Sequence, residues 1–178
     1  MIASNLGQVA KRNAIKVRLP LKCMHSSQSH SSMHTVERSV LVPHSASQMF
    51  NLVADVPKYP DFMPWCGGAS IDNEDSTGMQ ASITIAIAGL KHTFTTRNKH
   101  VVPERIELSL VKGPFSALEG EWQFVPLAED ACKVLFTLRY EFSSRALELV
   151  VGPVFNRIAT SFIDSFTQRA TQCYGEGL

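Results

Sequence analysis

Thiols and imidazoles are the side chains of this sequence that most readily act as nucleophiles or metal ligands. The chain has four cysteines, and no two of them form a CxxC pair: Cys23, Cys66, Cys132 and Cys173. No histidine stands at metal-ligand spacing from any of them, so neither a zinc site nor a disulfide framework is indicated. We expect no metal, no covalent cofactor and a reducing compartment.

Two further arrangements have a chemical reading, and each has a simpler structural one. His92 and His100 share one face of a strand, but they are too far apart along it to bind one ligand together. Cys66 follows Trp65 and offers a nucleophile, yet no base is suggested near it, and a small buried structural thiol is favoured. The sequence also has no glycine-rich phosphate loop and no GxSxG elbow. We therefore expect a protein that is not an enzyme.

Charged residues inside predicted strands are the remaining candidates for catalysis. They are Arg97, Glu107, Glu121, Arg139 and Glu141. Strand positions of this kind usually belong to a solvated outer face. Only a buried, convergent pair among them would favour an enzyme such as a cyclase.

The elements that position these side chains follow from the hydrophobic period. Val36, Val40 and Val42 share one face of a first strand. Ser45 followed by Gln48 predicts a capping box in front of a short helix. The proline-rich stretch 56–66 supports only broken helical turns. Alternation with a period of two then predicts strands within 79–87, 91–102, 106–110, 118–124 and 134–142.

From residue 144 to 173 the period returns to 3.6 and predicts a long C-terminal helix. Gly152 and Pro153 lie within it and predict a kink or a restart. Consecutive strands with short turns pair antiparallel, and the apolar face of the sheet must bury the apolar stripe of the helix. The predicted fold class is α+β: a curved antiparallel sheet of about seven strands around the long C-terminal helix, with two short helices after strand one, the helix-grip arrangement.

A curved sheet that grips a helix often leaves a cavity, so the inward-facing apolar residues are candidate ligand contacts. For any one of them core packing is the simpler interpretation, and only a cavity between them makes a site. Trp65, Phe115 and Trp122 are the strongest candidates because they lie in segments interrupted by proline or glycine, beside the predicted mouth of the cavity. The full candidate set is Phe62, Trp65, Ile83, Ile85, Phe94, Leu108, Leu110, Phe115, Trp122, Phe124, Phe136, Phe155, Ile158 and Phe162.

Charge divides the chain into two unequal parts. The 178 residues carry a net charge of +1, which gives no bulk reason to expect DNA binding. Residues 1–35 contain Lys and Arg but no Asp or Glu, which is also the composition of a mitochondrial transit peptide. The stronger interpretation takes residues 1–33 as a disordered basic leader or an upstream extension, and residues 34–175 as the folded domain.

A second surface is suggested by bases on neighbouring predicted strands. Lys91, Arg97, Lys99, Arg105 and Lys112 form a strip that RNA phosphates would attract. An ordinary solvated strand face is the alternative.

Three sequence motifs resemble one known family. They are the string VPKYPDFMPWCGG from Val56, the GPF from Gly113 and the run VVGPVFNRIA from Val150. Together they resemble the coenzyme Q-binding START-domain family, in its bacterial RatA-like branch of the polyketide cyclase/SRPBCC helix-grip superfamily. The resemblance covers residues 33–175 and implies a START/Bet v 1-like fold.

The resemblance implies a function in the cavity or on the ribosome. The first expectation is non-enzymatic binding of ubiquinone, or a similar prenyl lipid, in support of respiratory electron transport. The alternative is a toxin that binds the large ribosomal subunit, blocks subunit association and inhibits translation initiation. A polyketide cyclase-like enzyme ranks third. The implied location is the bacterial cytoplasm, with peripheral contact to the inner membrane, and the alternative location is the matrix side of the mitochondrial inner membrane.

Overall fold

The structure is a computed structural model that describes residues 33–87 and 89–176. The predicted leader therefore lies outside the described residues, apart from Met33. The elements in chain order are β1 (His34–Val42), α1 (Ala46–Ala54), a 3₁₀ turn (Val56–Lys58), α2 (Tyr59–Phe62), β2 (Cys66–Asp75), β3 (Gly78–Ile87), β4 (Leu90–Val101), β5 (Arg105–Lys112), β6 (Phe115–Ala128), β7 (Ala131–Phe142) and α3 (Arg145–Tyr174).

The strands form one antiparallel sheet in the order β1-β7-β6-β5-β4-β3-β2. The strands from β2 to β7 form a meander, and β1 returns to pair with β7. The predicted fold class is confirmed: a seven-stranded antiparallel sheet, a long C-terminal helix and short helices after the first strand.

One strand, β2, was not predicted from the alternation. Its pairing with β3 shifts register between Cys66 and Gly68 and again between Ile71 and Asn73. It lies at the edge of the sheet, and its second half is exposed. A strand that buries no continuous apolar face shows no period of two in its sequence.

Helix α3 supplies the core that the sheet encloses. The Ser144 hydroxyl accepts a hydrogen bond from the backbone N–H of Leu147 (3.3 Å) and caps its first turn. The helix is continuous through Pro153, so no restart occurs there. The predicted apolar stripe faces inward: Phe155, Ile158, Ala159, Ile163, Phe166 and Ala170 are buried, and Phe162 is partly buried. By length and composition α3 also passes as a candidate membrane span, a property that a core helix shares.

The short helices close one end of the sheet over α3. The capping box at Ser45 is confirmed: its hydroxyl accepts from the backbone N–H of Gln48 (3.2 Å), and the Gln48 side chain accepts from the N–H of Ser45 (2.8 Å). In α2, the rings of Tyr59 and Phe62 pack against Phe166 at centroid distances of 5.3 and 5.4 Å. The proline-rich stretch 56–66, predicted to form broken helical turns, therefore packs on α3 through these two rings.

Candidate ligand cavity and outer charged groove

A small apolar cavity of about 50 Å³ lies between the sheet, the short helices and α3. Its volume is about a third of the roughly 150 Å³ that accommodates benzene in an engineered protein cavity. Trp122 forms part of the wall and packs on Phe136 at 4.3 Å between ring centroids. The lining residues are Val53, Val56, Tyr59, Ile83, Phe94, Thr96, Asn98, Ile106, Leu108, Leu118, Trp122, Leu138, Phe155, Phe162 and Phe166.

All the candidate ligand residues from the sequence lie in the core or pack against it. Only some of them border the cavity: Ile83, Phe94, Leu108, Trp122, Phe155 and Phe162. The others fill space around it: Phe62, Trp65, Ile85, Leu110, Phe115, Phe124, Phe136 and Ile158. Of the three strongest candidates, Trp122 reaches the cavity, whereas Trp65 and Phe115 do not. A ligand role for the set remains a prediction.

Two polar residues in the cavity wall were missed by the sequence reasoning. Thr96 and Asn98 are 4% and 6% exposed, and the Thr96 hydroxyl donates a hydrogen bond to the Asn98 side-chain oxygen (2.6 Å). They have the same strand parity as Phe94, which also faces inward. Parity therefore signalled their position, but only apolar side chains were taken as candidate ligand contacts.

The titratable groups near the cavity are held in their neutral forms. Tyr59 donates a hydrogen bond to the Val53 carbonyl (2.6 Å), and burial, aided by Cys66 and Asp55, raises the pKa of its hydroxyl well above the ordinary value. Burial also raises the pKa of the Cys66 thiol, although its hydrogen bond to the Gly68 carbonyl opposes this. A thiol of raised pKa is a weak nucleophile at neutral pH.

Histidine chemistry and metal binding receive no support from the described part of the chain. Burial lowers the pKa of His100, whose Nε2 atom has no hydrogen-bond partner among the described residues. Within residues 33–87 and 89–176 no group of three or more His, Cys, Asp or Glu side chains is placed to hold a metal ion.

Strand pairing in the sheet ends early beside one part of the cavity wall, near the end of β5. Pairing between β5 and β6 ends at Ser109–Glu119, although β5 continues to Lys112. Leu108 and Leu110 face inward at this point but remain only partly buried. Part of the cavity wall at this point is therefore formed by a side chain that is only partly buried, that of Leu108.

The outer face of β4 to β7 forms an open groove of about 580 Å³ with mixed charge. Arg97 contacts Asp75 (2.8 Å), and Arg139 contacts Glu119 (3.3 Å). The Arg97 side chain, with Thr77, holds the pKa of the Asp75 carboxyl well below its usual range. The groove is lined by Thr77, Arg97, Lys99, Glu107, Leu108, Ser109, Glu119, Gly120, Glu121, Thr137 and Arg139.

The predicted basic strip is only partly free to meet an anionic partner. Lys99 and Arg105 both lie beside Glu107 (3.8 and 3.0 Å), and Arg97 is held by Asp75. Lys91 and Lys112 are exposed and have no acidic side chain within ion-pair distance among the described residues. The charged strand residues that would have favoured an enzyme lie on this outer face or its rim, not in the cavity.

A third opening, of about 380 Å³, lies where the first turns of α3 meet the start of β1 and the end of β7. Glu148 is 8% exposed, lies 3.0 Å from His34 Nε2 and accepts a hydrogen bond from Arg145 (2.9 Å). The buried Tyr140 hydroxyl has no hydrogen-bond partner among the described residues, and burial together with Glu148 raises its pKa. No candidate from the sequence lies here, because the lining comes from three distant parts of the chain.

The chain is similar to known proteins over most of its length. Residues 42–167 match the family model described as polyketide cyclase / dehydrase and lipid transport. The Ribosome association toxin RatA of Vibrio cholerae is 46% identical over 144 residues, which cover 81% of this chain and 100% of that protein. The mitochondrial Coenzyme Q-binding protein COQ10 of Drosophila melanogaster is 23% identical over 192 residues, which cover 96% of this chain and 79% of that protein.

Solved structures show the same fold. A START superfamily protein from Mycobacterium smegmatis superimposes with a TM-score of 0.65 at 24% identity, covering 79% of this chain and 99% of that one. The similarity supports the helix-grip architecture described above.

Proposed function

Because the chain belongs to the polyketide cyclase / dehydrase and lipid transport family, we propose that within this family it acts on ribosome association in the bacterial cytoplasm, without catalysing a reaction. The observation that carries this proposal is its similarity to a ribosome association toxin over that protein's entire length. The identity is twice that to the coenzyme Q-binding relative. The function that the motif resemblance ranked second therefore comes first. In its specific form, the protein binds the large ribosomal subunit, blocks subunit association and so inhibits translation initiation.

The basic side chains that bind ribosomal RNA should be those that are not already paired with an acidic side chain of the protein. Lys91 and Lys112 come nearest to this requirement on the outer side of the sheet: neither makes an ion pair among the described residues, although Lys112, after the Ser82 hydroxyl, helps to lower the pKa of the Asp72 carboxyl. Arg97 and Lys99 are held beside Asp75 and Glu107. An RNA phosphate that displaced such an acid would gain less than one that met a free lysine, because the lost internal ion pair offsets part of the new one.

The absence of catalysis is supported by the state of the candidate nucleophiles and bases. Burial keeps the Cys66 thiol protonated and the His100 ring neutral. Neither residue lines the cavity, and within the described part of the chain no hydrogen bond joins them.

Subunit association can be measured directly with purified ribosomal subunits and sucrose-gradient sedimentation. The protein should lower the fraction of assembled ribosomes in a dose-dependent way. The Lys91→Glu, Lys112→Glu double variant should reach the same effect only at about tenfold higher concentration. The slope of its log affinity against log salt concentration should be less steep by about two. The matched control Arg38→Glu reverses one exposed charge on the edge strand β1 and should act as the parent does.

The outcomes of this experiment test the proposed function and the proposed contact surface separately. A parent protein that leaves the assembled fraction unchanged would overturn the ribosome proposal. A double variant that is as active as the parent would retain the function but exclude the two lysines as its contact.

A second candidate function is binding of ubiquinone or a related prenyl lipid in support of respiration. The apolar cavity against α3 favours it, and one relative is named a coenzyme Q-binding protein. Burying a prenyl tail contributes roughly 0.8 kcal/mol per CH₂ before ordering costs. Because the closed cavity is small, a lipid enters only if the wall near Leu108 and Leu110 opens. The exposed Leu149 and Val150, 65% and 59% accessible, are suited to peripheral contact with the inner membrane.

Lipid binding is tested by what the protein retains on purification. The protein is isolated without detergent from a quinone-producing host, extracted with organic solvent and assayed by mass spectrometry. A stoichiometric quinone that is lost in the Trp122→Ala, Phe155→Ala variant would support the cavity as its site. A folded parent that carries no lipid, and takes up none from quinone-containing vesicles, would exclude this function.

A further inference from the structure

The first two turns of α3 are apolar on two opposite faces. The inner face, which includes Val151, Phe155 and Ile158, is buried against the sheet. Residues at i, i+3, i+4 and i+7 lie on one side of a helix, and on the outer side of α3 such a set is apolar and exposed. This set, the α3 patch, consists of Ala146, Leu149, Val150 and Pro153.

The α3 patch breaks the usual pattern of a helix that covers a core. Such a helix presents polar residues on its outer side. The outer side of α3 follows that rule only farther along, where Asn156, Arg157 and Asp164 are exposed. In the patch, by contrast, Leu149 and Val150 are 65% and 59% exposed. Two neighbouring aliphatic side chains are therefore left in contact with water.

The exposed charges next to the α3 patch are positive. Arg145 lies in its first turn and Arg157 one turn beyond its end, and both are exposed. The only acid between residues 145 and 163 is Glu148, which is 8% exposed and accepts a hydrogen bond from Arg145 (2.9 Å). Arg157 makes no ion pair with any described residue. The patch is therefore flanked by cations, with no exposed acid in this part of the helix.

The basic leader joins the folded domain beside the α3 patch. Residues 1–32 contain five Lys or Arg residues and no Asp or Glu. His34, the first residue of β1, lies 3.0 Å from Glu148, which directly precedes Leu149 in the chain. The positive charge of the leader is thus attached next to the exposed aliphatic side chains.

We propose that the α3 patch docks on the surface of an anionic lipid bilayer. Leu149 and Val150 enter the headgroup region, and the flanking arginines and the basic leader meet lipid phosphates. An aliphatic helix face bordered by cations is the pattern of helices that lie in a membrane interface. This inference rests on the lipid-binding function proposed above, whose membrane contact it makes specific, and docking itself requires no quinone.

Two other occupants fit the α3 patch less well. RNA is recognised through phosphates, ribose hydroxyls and base edges or faces, which aliphatic side chains contact weakly. A second copy of this chain, related by a two-fold axis, would place Arg145 and Arg157 against the same arginines of its partner. The charge around the patch therefore favours an anionic surface over self-association.

Docking is tested by co-sedimentation of the full chain with vesicles that contain no quinone. Vesicles of phosphatidylcholine with about a third phosphatidylglycerol should bind the protein about tenfold more tightly than phosphatidylcholine alone. The Leu149→Gln, Val150→Gln variant, which keeps good helix formers on α3, should bind the anionic vesicles about tenfold more weakly. The matched control is Leu41→Gln on β1: Leu41 is 67% exposed, and its replacement should leave binding unchanged.

Charge and apolar contact are separated by a further variant. Arg157→Glu should weaken binding to the anionic vesicles severalfold and leave binding to phosphatidylcholine unchanged. Added salt should reduce this difference, because exposed charges are screened. Neither variant changes Lys91 or Lys112, so both should lower the fraction of assembled ribosomes as the parent does.

The outcomes distinguish docking from the function on which it rests. Full binding by the Leu149→Gln, Val150→Gln variant would overturn the α3 patch as the docking surface. A drop of more than about 5 °C in its unfolding temperature would also overturn the proposal, since it would show that another part of the chain, such as residues 1–32, covers the patch. A parent that binds no vesicles but retains quinone on purification would exclude docking and leave lipid binding in the cavity intact.

Discussion

Replacing the polar pair in the cavity wall by apolar side chains should make the protein more stable. The change is Thr96→Val together with Asn98→Leu, two substitutions that nearly conserve volume. It removes one hydrogen bond, from the Thr96 hydroxyl to Asn98 (2.6 Å), which contributes about 0.5–1.5 kcal/mol. It also removes the Asn98 amide, a polar group that is 6% exposed in a mostly apolar wall and whose desolvation costs about 1–3 kcal/mol.

The desolvation cost that the double variant removes should outweigh the hydrogen bond that it loses. A fully buried leucine adds roughly 1.5–3 kcal/mol of apolar transfer free energy, part of which is lost because the site was shaped for asparagine. The adjacent space of about 50 Å³ lets the branched side chain relax. We expect the free energy of unfolding to rise by about 1–3 kcal/mol in total.

Guanidinium unfolding followed by tryptophan emission and far-UV circular dichroism measures this difference, provided that the denaturant slope is the same in both proteins. Thr95→Val is the matched control. Thr95 is fully buried, but its hydroxyl is paired with Ser82 (2.7 Å), so this substitution should destabilise by about 1 kcal/mol. A double variant that is less stable than the parent would refute the reasoning, because it would show that the Asn98 amide contributes more through its hydrogen bonds than its desolvation costs.

Four further predictions concern backbone strain and titration. Gly78 has φ +144° and a neighbouring backbone carbonyl where a Cβ would stand, so Gly78→Ala should destabilise by about 3 kcal/mol in chemical denaturation. Gly89→Ala, at φ +82° with open space around it, should cost about 1 kcal/mol. Burial raises the pKa of Tyr59 above its unfolded value near 10, so the stability that this residue contributes below pH 10 should be lost as the pH rises further. In Tyr59→Phe the free energy of unfolding, measured from pH 8 to 11, should therefore depend less on pH than in the parent. Burial raises the pKa of Cys132 to about 11, so mass spectrometry at pH 8 should find the exposed Cys173 alkylated long before Cys132, and equal rates would contradict that burial.

The predicted inward-facing residues lie in the core because burial along a strand or a helix is a local property. A period of two placed Ile83 and Phe94 inside, and a period of 3.6 placed Phe155 inside. The same local rules explain the confirmed capping box at Ser45, which needs only residues three apart. Motif strings were equally local, and the family they indicated is the one that the chain matches.

Contacts between distant residues could not be read in this way. Arg97 looked like a free cation in its strand, but Asp75, 22 residues earlier, neutralises it once β2 and β3 fold back. Thr96 shares the strand parity of Phe94, but its polar side chain was not among the predicted contacts. Only the fold shows that it and Asn98 close one wall of a cavity whose opposite wall is α3.

The sequence by itself determined the fold class, the family and which residues face the core, because each follows from periodicity or from a short motif. Only the tertiary structure decided which core residues border empty space, which charges form ion pairs and which buried polar atoms lack a partner among the described residues. Those properties depend on how closely side chains from separate elements approach one another, and no local pattern records that distance.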